Sequence, residues 1–97
     1  MATATGTATI DFGSDPGTNE AFVDVTGQST ISATSKVDAF IMAHDTSSNH
    51  TASDHRWFSC VVGLTCGTPT AATGFRIYAT SQQKLSGQYA VRWVWAD

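Results

Sequence analysis

The sequence predicts an all-β protein, a single antiparallel β-sandwich of about six or seven strands over residues 1–97. Threonine, valine and aromatic residues, which favour strands, recur along the chain, whereas glutamate occurs once and leucine twice. Apolar and polar residues alternate in several segments, as the period of two along a strand requires. Turn signals separate these segments at intervals of roughly ten residues, a spacing typical of sandwiches and small barrels. No helix is predicted.

The first half of the chain contains four predicted strands, over residues 3–12, 20–27, 31–33 and 36–44. The first is rich in threonine, which suits an edge or half-exposed strand. An Asp-Pro-Gly signal at residues 15–17 marks the turn that follows, because proline fixes φ and glycine permits a positive φ. In the second strand Phe22 faces away from Val23, since successive side chains alternate. In the fourth strand Phe40 and Met42 share one face.

The second half contains three predicted strands, over residues 55–66, 75–81 and 89–96, after a polar loop at 45–54. The strand over 55–66 is expected to bury one face, which carries Phe58, Cys60, Val62, Leu64 and Cys66. In the next strand Arg76 and Tyr78 are expected to point outwards. The apolar face of the closing strand consists of Tyr89, Val91, Trp93 and Trp95. We therefore expect a central, well-paired closing strand, with its other face towards a neighbouring subunit.

The charge balance bears on the class of partner. The net charge is −3 and no lysine or arginine cluster is present, so nucleic-acid binding, which needs a basic footprint, is not expected. The chain has no apolar run long enough for a transmembrane helix, and it begins without the basic and apolar regions of a signal peptide. We therefore expect synthesis in a cytoplasm and no membrane partner. Only 13% of the residues are charged, which favours a surface partly covered in an assembly.

Three histidines cluster around the polar loop. His44, His50 and His55 lie close in sequence to Asp45 and Asp54, and imidazole and carboxylate groups are ligands for zinc and related metals. The spacing matches no compact metal-binding motif, and the residues between are small and polar. A hydrogen-bonded surface loop or contact loop is therefore the favoured interpretation. The three histidines stay as metal-ligand candidates, and no cofactor is expected.

Cys60 and Cys66 fall on the same face of one predicted strand. Extended chain between them would separate their Cα atoms by about 20 Å, whereas a disulfide needs roughly 4.4–6.8 Å. We therefore predict two free, buried thiols, and a bridge only if residues 61–65 form a hairpin turn. Neither cysteine has a cationic or helix-terminal setting, and no nucleophile-elbow glycine pattern surrounds any serine. No catalytic residue is assigned, and the chain is not expected to be an enzyme.

The aromatic residues allow two interpretations. An exposed set could stack on the apolar face of a sugar, but such residues more often form the core and the interfaces of a β-sandwich. Arg92, opposite Trp93 in the closing strand, is the strongest contact candidate, because guanidinium pairs bidentately with carboxylates or stacks on rings. The candidate interface or ligand contacts are Trp57, Arg76, Tyr78, Arg92, Trp93 and Trp95.

Several short segments carry a resemblance to known proteins. They are Gly-Thr-Asn-Glu at 17–20, Val-Thr-Gly-Gln at 25–28, Ser-Lys-Val-Asp-Ala at 35–39, Gly-Phe-Arg-Ile-Tyr-Ala at 74–79 and Trp-Val-Trp at 93–95. Through them the chain resembles a family of small proteins encoded among the virion structural genes of tailed bacteriophages and prophages. Over residues 74–97 it is similar, more loosely, to H-type lectin domains and phage fibre tips.

These resemblances imply a function in assembly. The first implies a non-enzymatic structural component of the tail, fibre or capsid surface. Such a protein is made in the host bacterial cytoplasm and carried in the virion, with other phage virion proteins as partners. The second implies an antiparallel sandwich that forms a homotrimer, and it adds carbohydrate binding at the host surface as the alternative function, without assigning sugar-binding residues. A metal-bound receptor or adaptor loop at the histidines is a third hypothesis.

Overall fold

Two antiparallel three-stranded sheets form the fold, which confirms the all-β prediction. The computed structural model describes residues 3–48 and 50–97. The elements are β1 (Thr3–Asp11), β2 (Thr18–Val25), β3 (Lys36–Phe40), α1 (Ala52–Val61), β4 (Val62–Cys66), β5 (Phe75–Leu85) and β6 (Gln88–Ala96). Strands β1, β6 and β3 form one sheet in that order, named here the β6 sheet. Strands β2, β5 and β4 form the other, named the β5 sheet.

The central strands β5 and β6 supply much of the core between the sheets. In β6 the odd-numbered residues of the range 89–95 are buried and the even-numbered ones are half-buried. In β5 Arg76 and Tyr78 point outwards, as predicted. The buried apolar residues are Ile10, Phe12, Val25, Ile31, Ala39, Phe58, Phe75, Ile77, Ala79, Leu85, Tyr89, Val91, Trp93 and Trp95. The indole Nε1–H of Trp95 donates to Gln28 Oε1 at 3.0 Å, so the polar atom of this buried side chain is paired.

Strand β1 passes close to the indole of Trp93. Gly6 and Trp93 are partners in the β1–β6 ladder, and a Cβ at position 6 would overlap the indole atoms Cζ2 and Cε2. Glycine at position 6 therefore provides the space that the indole occupies in the core.

Helix α1 occupies residues for which the sequence predicts a strand. Its N-cap is Thr51, whose Oγ1 accepts a hydrogen bond from the Asp54 N–H, while Asp54 Oδ2 accepts one from the Thr51 N–H. This reciprocal capping box satisfies backbone donors at the start of the helix. His55 and Phe58 are the two buried residues of the helix.

The prediction of one long strand over 55–66 is therefore wrong for residues 55–61, which belong to α1. The prediction of no helix is wrong as well. The strand period begins only at Val62. His55 and Phe58 share one face of a helix because they are three residues apart, whereas in a strand they would point to opposite faces.

Of the residues that the structure describes, none belongs to a helix with the length and hydropathy needed to cross a membrane.

Strand β5 continues to Leu85, beyond the strand predicted over 75–81, and two other strand predictions also differ from the structure. Residues 31–33 lie in the loop between β2 and β3, although Ile31 is buried. The Ile31 carbonyl accepts a hydrogen bond from the Ala72 N–H, so a loop contact replaces the expected ladder. The strand predicted over 36–44 ends at Phe40. Both errors arise because burial and alternation persist for a few residues where the chain has already left a sheet.

The two cysteines are free thiols, as predicted, but they are not both buried. Cys60 is exposed, because α1 replaces the strand that would have turned it towards the core. Cys66, the last residue of β4, is half-buried. Its burial and, to a smaller extent, the charge of Asp38 raise the pKa of the Cys66 thiol to about 11. Thiolate, the reactive form, is therefore scarce on Cys66 at neutral pH.

Candidate functional site

The histidine-rich segment forms an aromatic cluster against the start of β6. The ring of Tyr89 lies between His50 and Phe58, with nearly parallel planes and a centroid distance of 4.0 Å on each side. Phe12 and His55 pack edge-on against the same ring. These residues, named the Tyr89 cluster, join α1 and the loop before it to the sandwich.

His55 is fully buried and makes two hydrogen bonds. Its Nδ1 donates to the Thr51 carbonyl at 2.9 Å, and its Nε2 accepts from the Ala90 N–H at 2.9 Å. This pattern requires the neutral imidazole with its proton on Nδ1. The side chain therefore links the N-terminus of α1 to β6.

His50 is half-buried and faces two oxygen acceptors. Its Nε2 lies 2.9 Å from the Ser86 carbonyl oxygen, and its Nδ1 lies 3.3 Å from Asp54 Oδ2. The ring can donate to both only when both nitrogens carry protons. The Thr51 N–H holds the pKa of Asp54 below its ordinary value; desolvation opposes this effect, and the His50 contact adds to it.

The three histidines do not converge on a common point. His44 is exposed in the loop after β3, whereas His50 and His55 are engaged as described above. Within residues 3–48 and 50–97, no three histidine, cysteine, aspartate or glutamate side chains are placed to hold a metal ion together. The loop is held by other contacts, among them the hydrogen bond between Ser48 Oγ and Gln88 Oε1 at 3.0 Å. His50 and His55 thus serve to anchor the helix and its loop.

We expect Asp54→Asn to be less stable than the wild type at neutral pH and to converge on it in acid. The pKa of Asp54 is lowered from 3.8 in the folded state. Its carboxylate therefore stabilises the fold above pH 3.8, and this contribution is lost as the pH falls through the folded-state pKa. Urea midpoints of both proteins, measured at neutral pH and well below pH 3.8, give the comparison. A gap that persists unchanged in acid would contradict this role of the carboxylate.

The outer face of the β5 sheet carries an exposed aromatic patch. Phe22 and Tyr78 are partners in the β2–β5 ladder and are 55% and 41% exposed. The Arg76 guanidinium lies 4.1 Å from the centroid of the Phe22 ring. It also donates two hydrogen bonds to Asp24, at 2.7 and 3.3 Å, and this pairing lowers the pKa of the Asp24 carboxyl. These residues, Phe22, Asp24, Arg76 and Tyr78, are named the Phe22 patch.

A cleft of about 340 Å³ adjoins the Phe22 patch. Asp24 and Arg76 line one part of it, and four threonines line another: Thr26, Thr68, Thr70 and Thr73. Binding sites for small ligands combine apolar or aromatic surface with a few convergent polar groups. The cleft therefore offers hydroxyl groups beside the Asp24–Arg76 pair, and the Phe22 patch, which shares that pair, adds exposed ring faces next to it.

The outer face of the β6 sheet carries a second exposed apolar group, formed by Phe40 and Met42. Arg92 is the partner of Phe40 in the β3–β6 ladder. Its guanidinium donates to both carboxylate oxygens of Asp45, at 2.8 and 3.1 Å, and this pairing lowers the pKa of Asp45. The bidentate carboxylate contact considered for Arg92 is thus made within the chain, where it ties the loop after β3 to β6.

The candidate contact residues of the sequence fall into separate regions. Trp93 and Trp95 are 7% and 2% exposed, so they serve the core and present little surface to a partner. Trp57 is exposed on α1 and belongs to neither sheet. Only Arg76 and Tyr78 are brought together, in the Phe22 patch.

Sequence reasoning did not select Phe22 and Asp24 as contact residues. The alternation in β2 already places both on the face opposite Val23 and Val25, which was the available signal. The missing information was the register of β2 against β5, which places Phe22 beside Tyr78 and Asp24 beside Arg76. Comparison of the chain with protein-family models, with curated proteins and with solved structures gives no match.

Proposed function

We propose that this protein is a non-enzymatic structural component of a bacteriophage virion, on the tail, fibre or capsid surface, and acts by contacts with other virion proteins. The observation that carries the proposal is the presence of exposed apolar groups on both outer faces of the sandwich. They are Phe22 and Tyr78 on the β5 sheet and Phe40 and Met42 next to the β6 sheet.

The composition of these faces is that of protein interfaces. Aromatic residues, methionine and arginine are enriched where proteins meet. Each face holds an arginine beside its apolar residues, Arg76 on one and Arg92 on the other. Burial of apolar surface contributes about 25 cal/mol per Å², so adjacent rings such as Phe22 and Tyr78 favour a covered state. A module with such groups on two sides suits a particle in which each subunit has several neighbours.

The virion part of the proposal rests on the resemblance of segments such as 74–79 and 93–95 to phage structural proteins. The same segments have structural roles here: residues 74–79 lead into and form the start of β5, and residues 93–95 lie in β6, where Trp93 and Trp95 are buried. A resemblance that coincides with the central strands supports a shared sandwich and, with it, a shared use in particles.

The proposal can be tested with purified particles of the phage, or of the induced prophage, that encodes the chain. We expect mass spectrometry to find the chain in these particles and imaging to place it on the tail, fibre or capsid surface. The double substitution of Phe22 and Tyr78 by serine should reduce incorporation, because it removes the apolar contact. Trp57→Ser, which alters an exposed aromatic residue on α1, is the control and should be incorporated normally. Absence of the chain from the particles would contradict the proposal.

Carbohydrate binding at the host surface is the second candidate function, and the Phe22 patch with its cleft favours it. The exposed faces of Phe22 and Tyr78 can stack on the apolar side of a pyranose ring. Asp24, Arg76 and the cleft threonines, at the edge of the same surface, can hydrogen-bond to sugar hydroxyl groups.

A glycan array probed with the purified protein separates this candidate from the first. Binding that falls at least about tenfold, equivalent to about 1.4 kcal/mol, in both Phe22→Ala and Tyr78→Ala would support it. Trp57→Ala should leave binding unchanged, since Trp57 lies outside the patch. No binding to any glycan, or binding that is insensitive to both patch substitutions, would contradict a sugar site here.

A further inference from the structure

Strand β1 forms one edge of the β6 sheet. Residues on an antiparallel strand alternate between those bonded to the neighbour and those whose N–H and C=O point away from it. The Phe12 N–H donates to the Gly87 carbonyl in continuation of the β1–β6 register, so the even-numbered residues of β1 bond to β6. The backbone groups of Thr3, Thr5, Thr7, Thr9 and Asp11 therefore point to the other side of β1. Within the part of the chain that the structure describes, no strand pairs with that side.

This edge lacks the features that usually protect a sheet edge, which are charges, proline, bulges or short length. Strand β1 has nine residues, and its only charged residue is Asp11 at its end. The other edges differ. Strand β3 is five residues long and includes Lys36 and Asp38, β2 includes Glu20 and Asp24, and β4 has only five residues.

We propose that a second copy of this chain pairs with β1 through its own β1, antiparallel and about a two-fold axis at Thr7. The two β6 sheets then form one continuous six-stranded sheet, because each contributes the three strands it already has. This register pairs Thr7 with Thr7, Thr5 with Thr9, and Thr3 with Asp11 of the other copy. In this register every β1 residue whose backbone N–H and C=O point away from β6 has a partner in the other copy. An axis at Thr5 would leave the end of each β1 strand unpaired.

The pairing provides the number of hydrogen bonds that stable interfaces have. Each pair of residues with facing backbone groups contributes two bonds, so the five outward-pointing residues of each copy give about ten, close to the average for protein interfaces. A second copy fits better than a charged strand of another protein, because the two-fold axis keeps the two Asp11 carboxylates at opposite ends, each beside Thr3 of the other copy. No like charges meet along the edge.

The side chains of β1 also suit this pairing. The outward face would carry a row of threonines, and threonine pairs are favourable across neighbouring strands. On the inner side β1 presents Ala4, Gly6 and Ala8, all half-buried. Two-fold pairing predicts a closed dimer, whereas the lectin-like resemblance implies a trimer. The dimer goes beyond the proposed virion function, because its formation requires no other virion protein.

Analytical ultracentrifugation of the purified chain tests the proposal. We expect a dimer for the wild type and a monomer for Thr7→Lys, in which two lysines would meet on the axis, with an unchanged circular dichroism spectrum. Thr65→Lys is the matched control: Thr65 is exposed on β4, an edge strand of the β5 sheet, and this variant should stay dimeric. A monomeric or trimeric wild type, or a dimeric Thr7→Lys variant, would overturn the proposal.

A crosslinking experiment tests the register and does not depend on the folding of the lysine variant. The Cα atoms of a hydrogen-bonded antiparallel pair are about 5.5 Å apart, which a disulfide can span. With Cys60 replaced by serine, Thr7→Cys should form covalent dimers on mild oxidation, whereas Thr3→Cys should not. Failure of the Thr7→Cys variant to crosslink would overturn the two-fold pairing. Such a failure, with the wild-type chain still found in particles, would leave the proposed function standing.

Discussion

His55→Ala is expected to lower the free energy of unfolding by about 3–5 kcal/mol. The substitution removes a fully buried ring and leaves the Ala90 N–H without its acceptor, whereas the Thr51 carbonyl keeps the hydrogen bond from the backbone N–H of residue 55. Each buried polar group left unpaired costs about 1–3 kcal/mol, and the cavity beside Tyr89 adds to this cost. Because small domains are stable by only about 5–15 kcal/mol, a large part of the stability depends on this one side chain.

His44→Ala is the matched control, because the same substitution is made at an exposed histidine in the loop after β3. We expect the free energy of unfolding to change by no more than about 0.5 kcal/mol. Urea unfolding followed by tryptophan fluorescence measures both variants, since Trp93 and Trp95 are buried in the core. Equal losses of stability in the two variants would contradict the structural role of His55.

Trp95→Ala is expected to destabilise the fold to a similar extent, by about 3–5 kcal/mol. Trp95 is the largest of the fully buried side chains. Its removal opens a cavity in the core and frees Gln28 Oε1 from the hydrogen bond that the indole donates. Thermal or urea unfolding followed by far-ultraviolet circular dichroism measures the loss.

The control for this prediction is Trp57→Ala. Trp57 is 45% exposed on α1, and alanine has the higher helix propensity, so we expect a change below about 1 kcal/mol. If Trp57→Ala proved as damaging as Trp95→Ala, the assignment of Trp95 to the core and of Trp57 to the surface would be wrong.

The strands that could be predicted from the sequence are those whose two faces differ in polarity. In β6, apolar residues at odd positions alternate with a mixed set at even positions, and the buried face follows directly. In β5, Arg76 and Tyr78 were assigned outwards for the same reason. Alternation is a property of neighbouring residues, so it can be read without knowledge of the partner strand.

Helix α1 was missed because its signals are short and mixed. Thr51 and Asp54 have the spacing of a capping box, but the alternation of residues 58–66 continues the same segment and favoured a strand. The helix is held by tertiary contacts of His55 and Phe58 with Tyr89. A helix of ten residues is too short to be stable in isolation, so packing against β6 decides its formation.

By itself the sequence determined the all-β class, the outward direction of Arg76 and Tyr78, and the buried face of the closing strand. Only the tertiary structure decided which of these residues meet. The ladder between β2 and β5 forms the Phe22 patch, the loop after β3 supplies Asp45 to Arg92, and β1 is left at an edge. The physical reason is that strand pairing and helix docking depend on contact energies between residues far apart in the chain. A local pattern indicates which side chains need burial, but not which partners bury them.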